Sequence, residues 1–496
     1  MKKLYYSSCS CTVPHIGVVI DDIKSSLEHG DEVYWAYCSG ALSSCWSNRF
    51  GHRGMCELCH IMYKEFHRQY VPSAKMQPIN KDILTHTEHH ICVNSQKDIH
   101  DFEYKGIKIG MSILSTYYGF TRDLDIKDLE SFKKYCIPLM GEICDISDYF
   151  IQLTDKIMPD EIVVINGRHF SNRFVFDISQ QRKISYRALE IIGGYYDPPF
   201  RKISYKGNLP HSIDIRTDMA MKLWEKSGES LKDKTTIAEN FYNRRREGEL
   251  VADVKAYVAD QQKGLLPNGF DENVRNIAIF NSSPDEFAAI GGEWEENLLF
   301  PSQYEAIKYI LEHSPENFHY YLRIHPNLAG VDHKAHLELY QLSEYKNITI
   351  IGPTEKVSTY TLLDKCEKTL TFGSTMGIEA CFWRKPSIMI GHAYYEKLDV
   401  CYIPKSKEEM MRLIMMDCLE PKPNLGALKY AYYLLDRSFL VEPTSLDIDV
   451  HHKKFLIDFP VTNYQKIWGK KWIYQLIYLI MVRLPERFSN HKLKAK

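Results

Sequence analysis

Through the second half of the chain, short runs of β-branched, aliphatic and aromatic residues alternate with stretches of helical length. Asn276–Asn281, Phe318–Ile324, Ile348–Ile351, Thr369–Phe372 and Ser387–Ile390 read as buried strands. Helix-length segments around 302–313, 333–344, 358–366 and 376–384 separate them. Strand and helix in alternation imply a parallel α/β sheet, which places functional residues in the loops beyond the carboxyl ends of its strands. The first half repeats the theme less regularly. A helix over about 17–28 leads through a turn at Gly30 into a strand ending at Cys38, and Glu161–Asn166 reads as another strand, ending in Asn166-Gly167-Arg168. A second α/β domain is the economical reading.

Length supports the division, since 496 residues exceed what one hydrophobic core serves. The stretch 216–272 is charged and helix-prone and ends in Leu266-Pro267-Asn268-Gly269, a turn cluster suited to a boundary. The expected domains are therefore 1–270, 271–440 and a C-terminal extension over 441–496. Residues 461–496 carry eight Lys or Arg against the single Glu486, with Trp468, Trp472, Tyr474 and Tyr478 among aliphatic residues. That extension reads either as an interfacial helix on an anionic lipid surface or as a helix packed across the two domains.

Composition narrows the partners. Sixty-two Lys and Arg against 64 Asp and Glu give no global field for nucleic acid, and 44% apolar residues with ordinary Gly and Pro content exclude a disordered chain. Thirteen cysteines, nine of them before residue 150, do not suggest a disulfide scaffold and fit a reducing cytoplasm. The N-terminus lacks the apolar stretch of a secretory signal. The longest apolar run, Trp472 to Val482, is about half of what a spanning helix needs.

Phe372-Gly373-Ser374-Thr375-Met376-Gly377-Ile378-Glu379 couples a strand end, a small-residue turn and a helix start, a junction suited to phosphate. Ser374 and Thr375 add hydroxyls, Gly377 offers close approach to the backbone, and Glu379 is placed to accept from ribose hydroxyls. A plain helix cap is the alternative. Arg323-Ile324-His325-Pro326 ends another strand, with Arg323 and His325 on one side at period-two spacing. Asn281-Ser282-Ser283-Pro284-Asp285-Glu286 ends the first strand of this half, where Ser282 and Ser283 are candidate contacts for the transferred group and the two carboxylates favour a helix start. Glu190 and His211-Ser212-Ile213-Asp214 are candidate catalytic or cleft residues, with capping or solvated roles as the alternative. Asp123-Leu124-Asp125 and Asp447-Ile448-Asp449 match a pattern too common to carry weight.

Cys38, Cys45, Cys56 and Cys59 follow the spacing C-x6-C-x10-C-x2-C, in which four thiolates close one tetrahedral zinc site; simply buried cysteines are the alternative. Cys9 and Cys11 compete as ligands. His86-Thr87-Glu88-His89-His90 reads rather as a solvated loop.

The order SSPDEF, RIHP, SxYxLLD at 358–364 and FGSTMGIEACFWRKPSIMIG resembles the capsule polysaccharide biosynthesis glycosyltransferases, related to bacterial transferases of the Kdo and sialic acid type. The resemblance covers about 270–400. The stretch YCSGALSSCWSNRFGHRGMCELC and the NGR at 166–168 are similar to the amino-terminal region of such enzymes. The resemblance implies a GT-B architecture of two Rossmann-like domains, with a nucleotide-sugar donor, CMP-linked by that kinship, in the C-terminal one. It implies His325, Ser374 and Thr375 on the phosphates, Glu379 on the ribose, and a glycan or lipid-linked acceptor on the N-terminal domain. Helix-end phosphate binding would need no metal for catalysis, leaving zinc a structural role. The expected place is the cytoplasm, peripheral on the inner face of the membrane. Rivals are a sugar-nucleotide epimerase of the same fold and a non-catalytic polysaccharide-assembly subunit.

Overall fold

The structure is a computed structural model and describes residues 1–10, 13–49, 51, 53–191, 202–251 and 257–435. The C-terminal extension 441–496, Cys11 and the Asp447-Ile448-Asp449 motif lie outside the described residues.

The chain divides into two compact units. Of the described residues, unit 1 takes in Met1–Thr116 and Ile126–Pro210, and unit 2 takes in Tyr117–Asp125 and His211 to Leu435. Unit 1 runs β1 (Lys2–Ser7), α1 (Val13–Glu28), β2 (Glu32–Cys38), α2 (Arg53–Tyr70), β3 (Lys75–Ile79), α3 (Gln96–His100), α4 (Ile109–Thr121), α5 (Leu129–Ile157), β4 (Glu161–Ile165), α6 (Arg173–Gln181), β5 (Ser185–Ile191) and β6 (Lys202–Lys206). Its sheet has the order β3-β2-β1-β4-β5-β6, parallel except for the antiparallel edge strand β6. This is the doubly wound order of dinucleotide-binding folds, with its reversal between β1 and β4.

Unit 2 begins with α7 (Ile213–Lys226) and α8 (Leu231–Arg246). It continues through β7 (Arg275–Phe280), α9 (Gln303–His313), β8 (Phe318–Arg323), α10 (Lys334–Gln341), β9 (Ile348–Ile351), α11 (Thr359–Lys365), β10 (Lys368–Thr371), α12 (Met376–Phe382), β11 (Ser387–Met389), α13 (Lys407–Met415) and α14 (Leu425–Leu435). The all-parallel sheet β11-β10-β7-β8-β9 reverses between β7 and β10. Ile277 and Ile279 of β7 pack into one apolar layer, Ala278 and Phe280 into the other. Covering on both faces is why these strands read as unbroken apolar runs. Each such buried aliphatic side chain contributes about 1.5–3 kcal/mol relative to exposure.

The boundary therefore falls at 210/211, not at the expected 270/271. The charged stretch is no linker. Its helices bury Ala220, Leu223, Trp224, Ala238, Phe241 and Tyr242, and α8 buries Lys234 and Arg245 with them. The Trp224 ring meets Tyr432 of α14 edge-on at 5.6 Å, and the Tyr242 hydroxyl donates to the Ala427 carbonyl at 2.8 Å. Pro284–Glu286 forms one 3-10 turn rather than a helix start. Among the described residues no helix is long and apolar enough to cross a membrane.

Candidate functional site

Unit 2 has a pocket of about 60 Å³ at the carboxyl ends of β7, β8 and β10, at the switch point where such folds take their ligands. That volume is enough for a phosphate group. Its lining includes Arg323, His325, Ser374, Thr375, Glu379 and Arg245.

Arg323, the last residue of β8, is 4% exposed. Its Nη2 donates to the Glu355 carbonyl at 2.9 Å, while its Nε and Nη1 have no hydrogen-bond partner. Burial lowers its pKa, with Glu355 opposing. Unpaired buried N–H groups on a cation cost roughly 1–3 kcal/mol each, so this guanidinium is set for an acceptor that the protein itself does not supply.

His325 is held by its own backbone, whose N–H donates to Asn281 Oδ1 at 2.7 Å. Burial and the nearby Arg122 cation push its pKa down to about 4, with Asp285 opposing. The ring is therefore neutral at pH 7. Its Nδ1 accepts from the Asn327 N–H at 3.2 Å, which assigns the proton to Nε2. His325 is thus a hydrogen-bond donor, not a charge. Ser374 Oγ accepts from the Met376 N–H at 3.3 Å, leaving its own proton for another acceptor. Thr375 Oγ1 accepts from Arg245 Nη2 at 3.4 Å.

Three expectations are corrected. Glu379 lines the pocket but is not an open acceptor for ribose. It is 1% exposed, Oε1 takes the Arg245 guanidinium at 2.9 Å, and Oε2 accepts from the Tyr360 hydroxyl. Gly377 does not line the pocket. A Cβ there would meet the Tyr395 hydroxyl at 2.5 Å and Thr371 Cγ2 at 2.7 Å, so the glycine serves close packing behind the turn and not ligand approach. Ser282 and Ser283 are buried beside the pocket rather than in it. Ser282 Oγ donates to the Phe372 carbonyl at 2.8 Å, and Ser283 bonds Asp285 and receives Arg122 Nη2 at 3.3 Å. The helix dipole also counts for little, because α12 has only seven residues.

Glu190 lies in unit 1, near the end of β5. Its Oε2 accepts from Asn166 Nδ2 at 2.8 Å and its Oε1 from the Ile191 N–H at 3.1 Å. The buried His15 near it has a pKa lowered by burial, with Glu190 opposing. Ser212 caps α7, and Glu293 receives the Ile213 and Asp214 N–H groups at 2.8 and 3.0 Å, so that motif has the capping role. His86 and His89 both meet Asp145, at 3.3 and 2.9 Å. Asp123 faces His333 at 3.2 Å.

Cys38, Cys45, Cys56 and Cys59 do come together, joined by Cys9, around a cavity of about 20 Å³ in unit 1. All five are thiols outside any disulfide. Among the described residues, no three His, Cys, Asp or Glu side chains stand within one ion's coordination sphere.

The sequence reading missed Arg245, Tyr360, Tyr257 and Gln261 of the pocket. For Arg245 a signal existed. It continues the buried stripe Ala238, Phe241 and Tyr242 at helical spacing, whereas it reads at first as one of three consecutive arginines.

Residues 298–402 match the family model of capsule polysaccharide biosynthesis proteins, a span that includes Arg323, His325, Ser374, Thr375 and Glu379. No curated protein matches the chain. Among solved structures, the KpsC β-Kdo 2,4 transferase of Thermosulfurimonas dismutans aligns at 16% identity over 55% of this chain and 79% of its own, with a TM-score of 0.35. The UDP-GlcNAc 2-epimerase of Neisseria meningitidis, bound to UDP-GlcNAc, aligns at 13% identity over 88% of this chain and 94% of its own, with a TM-score of 0.27. Scores of this size do not establish a shared fold.

Proposed function

We propose that the chain is a glycosyltransferase of surface polysaccharide synthesis, using a nucleotide-activated sugar whose phosphate is gripped by the pocket of unit 2. The observation that carries this reading is Arg323, a nearly buried cation with two nitrogens unpartnered in a pocket that admits a phosphate. The family-model match over the same residues supports it.

In this reading Arg323 meets charge developing on the leaving phosphate, and His325 Nε2–H and the Ser374 hydroxyl donate to its oxygens. All are in place before the donor arrives, so little reorganisation is needed as the glycosidic bond breaks. Glu379 acts through Arg245 and Tyr360, holding the pocket wall rather than touching the reacting atoms. The acceptor glycan, cell-surface or lipid-linked, falls to unit 1, where Glu190 is the candidate base for its hydroxyl. A CMP-linked donor, metal-independent chemistry and attachment to the inner membrane face complete the proposal.

The test is a thermal-shift panel of nucleotides, followed by a donor screen by mass spectrometry with a synthetic oligosaccharide acceptor. A cognate nucleotide at 100 times its Kd stabilises by about 2.7 kcal/mol, a rise absent from Arg323→Gln. Failure of every nucleotide to shift the wild-type transition sinks the reading. Donor isomerised without acceptor replaces it with an epimerase.

A further inference from the structure

The cysteine cavity of unit 1 has no part in the reading above. Its sulfurs come from distant stretches of sequence: Cys9 just beyond β1, Cys38 at the end of β2, Cys45 in the following loop, and Cys56 and Cys59 one helical turn apart on α2. Convergence alone is compatible with buried, inert thiols, which pack as small apolar groups. What distinguishes this cavity is the set of donors aimed at the sulfurs.

Burial raises the Cys38 thiol's pKa, opposed by the backbone N–H groups of Leu42, Gly40 and Ala41 around its sulfur. The chain curls around that atom through Gly40, whose φ of +88° is readily reached without a side chain. Cys59 Sγ receives the Ser10 N–H at 3.2 Å, and the Ser10 hydroxyl donates to the Cys59 carbonyl at 2.8 Å. Cys56 Sγ receives Asn48 Nδ2 at 3.3 Å. Asn48 is fixed by a two-way backbone bridge to Cys45, at 3.1 and 3.2 Å, which ties Cys45 to the same corner as Cys56. The Cys9 and Cys45 thiols are hydrogen-bonded to each other.

A neutral thiol sulfur is a weak acceptor, and five N–H donors turned toward three of them form a poor arrangement for inert cysteines. They suit thiolates. Four thiolates around a divalent ion carry a net charge of −2, which N–H groups pointing at the sulfurs disperse and which fixes each ligand's orientation. The cavity, about 20 Å³, has room for one ion.

We propose that Cys38, Cys45, Cys56 and Cys59 form a mononuclear thiolate site for a soft divalent cation of the zinc class, with Cys9 as a hydrogen-bonding neighbour of Cys45. The sulfurs stand around the cavity without yet sharing one coordination sphere. Loading therefore rotates thiols inward to about 2.3 Å from the metal and releases their protons. The site is structural in this assignment: it clamps the loop after β2 onto α2, and four protein ligands leave no open position for chemistry.

The test uses the full-length chain, stripped of metal under reducing conditions and titrated with Co²⁺ and then Zn²⁺. The expected result is about one equivalent bound, an intense thiolate-to-cobalt charge-transfer band that Zn²⁺ removes, and protection of the cavity thiols from a maleimide. Cys56→Ser and Cys45→Ser weaken binding at least about tenfold, while Cys136→Ser, buried on α5 away from the cavity, leaves it unchanged. No charge-transfer band and no retained zinc in the wild-type chain overturn the proposal, whether or not the serine variants fold. Metal bound equally well by both cavity variants overturns it too, as does an acid-labile sulfide chromophore. Nucleotide thermal shifts are read separately on unit 2 residues, so either proposal can fail alone.

Discussion

Both units are doubly wound, and both gather unusual side chains at the carboxyl ends of strands near the sheet's reversal. In unit 2 those side chains are donors with proton or charge to spare: Arg323 with two unpartnered nitrogens, His325 with its proton on Nε2, and Ser374. In unit 1 the corresponding edge beyond β1 and β2 is lined by sulfurs that receive N–H groups. One edge presents donors and calls for an anion; the other presents acceptors and calls for a cation. The winding sets where a ligand goes, and the sign of the leftover hydrogen-bonding capacity sets which ligand it is.

The contrast can be broken by removing what each edge depends on. The largest effect is expected at Glu379. Glu379→Ala removes the carboxylate from the buried Arg245 guanidinium, and losing one partner of a buried pair costs about 3–5 kcal/mol, measured by urea unfolding. A loss below about 1 kcal/mol would mean that the Glu379–Arg245–Tyr360 cluster does not hold the pocket.

Arg323→Gln comes next. Transfer, measured as kcat/KM, should fall by about 10²–10³-fold, the scale for removing one preorganised charge-stabilising donor. The free protein should at the same time melt at the same temperature or higher, because the variant removes a buried cation with unpaired donors. A variant that is both less stable and fully active would make Arg323 a structural residue and erase the distinction between the edges.

The pH dependence sharpens the same point. His325 titrates at about 4 in the folded protein against an ordinary 6.5, so the folded state binds fewer protons than the unfolded one in that window. Its contribution is fully present above pH 6.5 and is lost as the pH falls toward 4, by at most about 3 kcal/mol. His325→Gln should flatten the acid limb of the wild-type stability curve over that range. Parallel curves would show that the ring is not held neutral.

The smallest effect is at Gly377→Ala, where the added methyl meets Tyr395 and Thr371 at overpacking distances, for about 1–3 kcal/mol. Nucleotide response should survive in the folded fraction, since this residue lies behind the turn and not in the pocket.

The five strands of unit 2 were legible because parallel strands covered on both faces read as apolar runs, and β7 to β11 match the sequence reading to within a residue or two at each end. β1 was not. Its sequence opens on two lysines, yet Tyr5 and Tyr6 are fully buried, Lys3 pairs with Asp31 at 2.6 Å, and the Tyr5 hydroxyl bonds Asp22 at 2.7 Å. Partners remote in sequence satisfy groups that look exposed when read locally. The same cause hid the state of Glu379, whose guanidinium comes from 134 residues away. The cysteines were legible as a set, but the N–H groups that give the set its meaning belong to backbone geometry that spacing does not encode.

A practical consequence follows from the short excursion Tyr117–Asp125, which the chain lends to unit 2 before completing unit 1. Arg122 Nη1 donates to the Asn327 carbonyl at 2.7 Å, and the Thr121 carbonyl meets His333 Nε2 at 2.8 Å, close to the loop whose Asn327 N–H orients His325. Anyone dissecting the protein by expressing the chain from His211 onward would discard this clip, and with it the cation that helps keep His325 neutral. Such a fragment would carry every pocket-lining residue and still bind its nucleotide poorly, a result easily mistaken for the absence of a site.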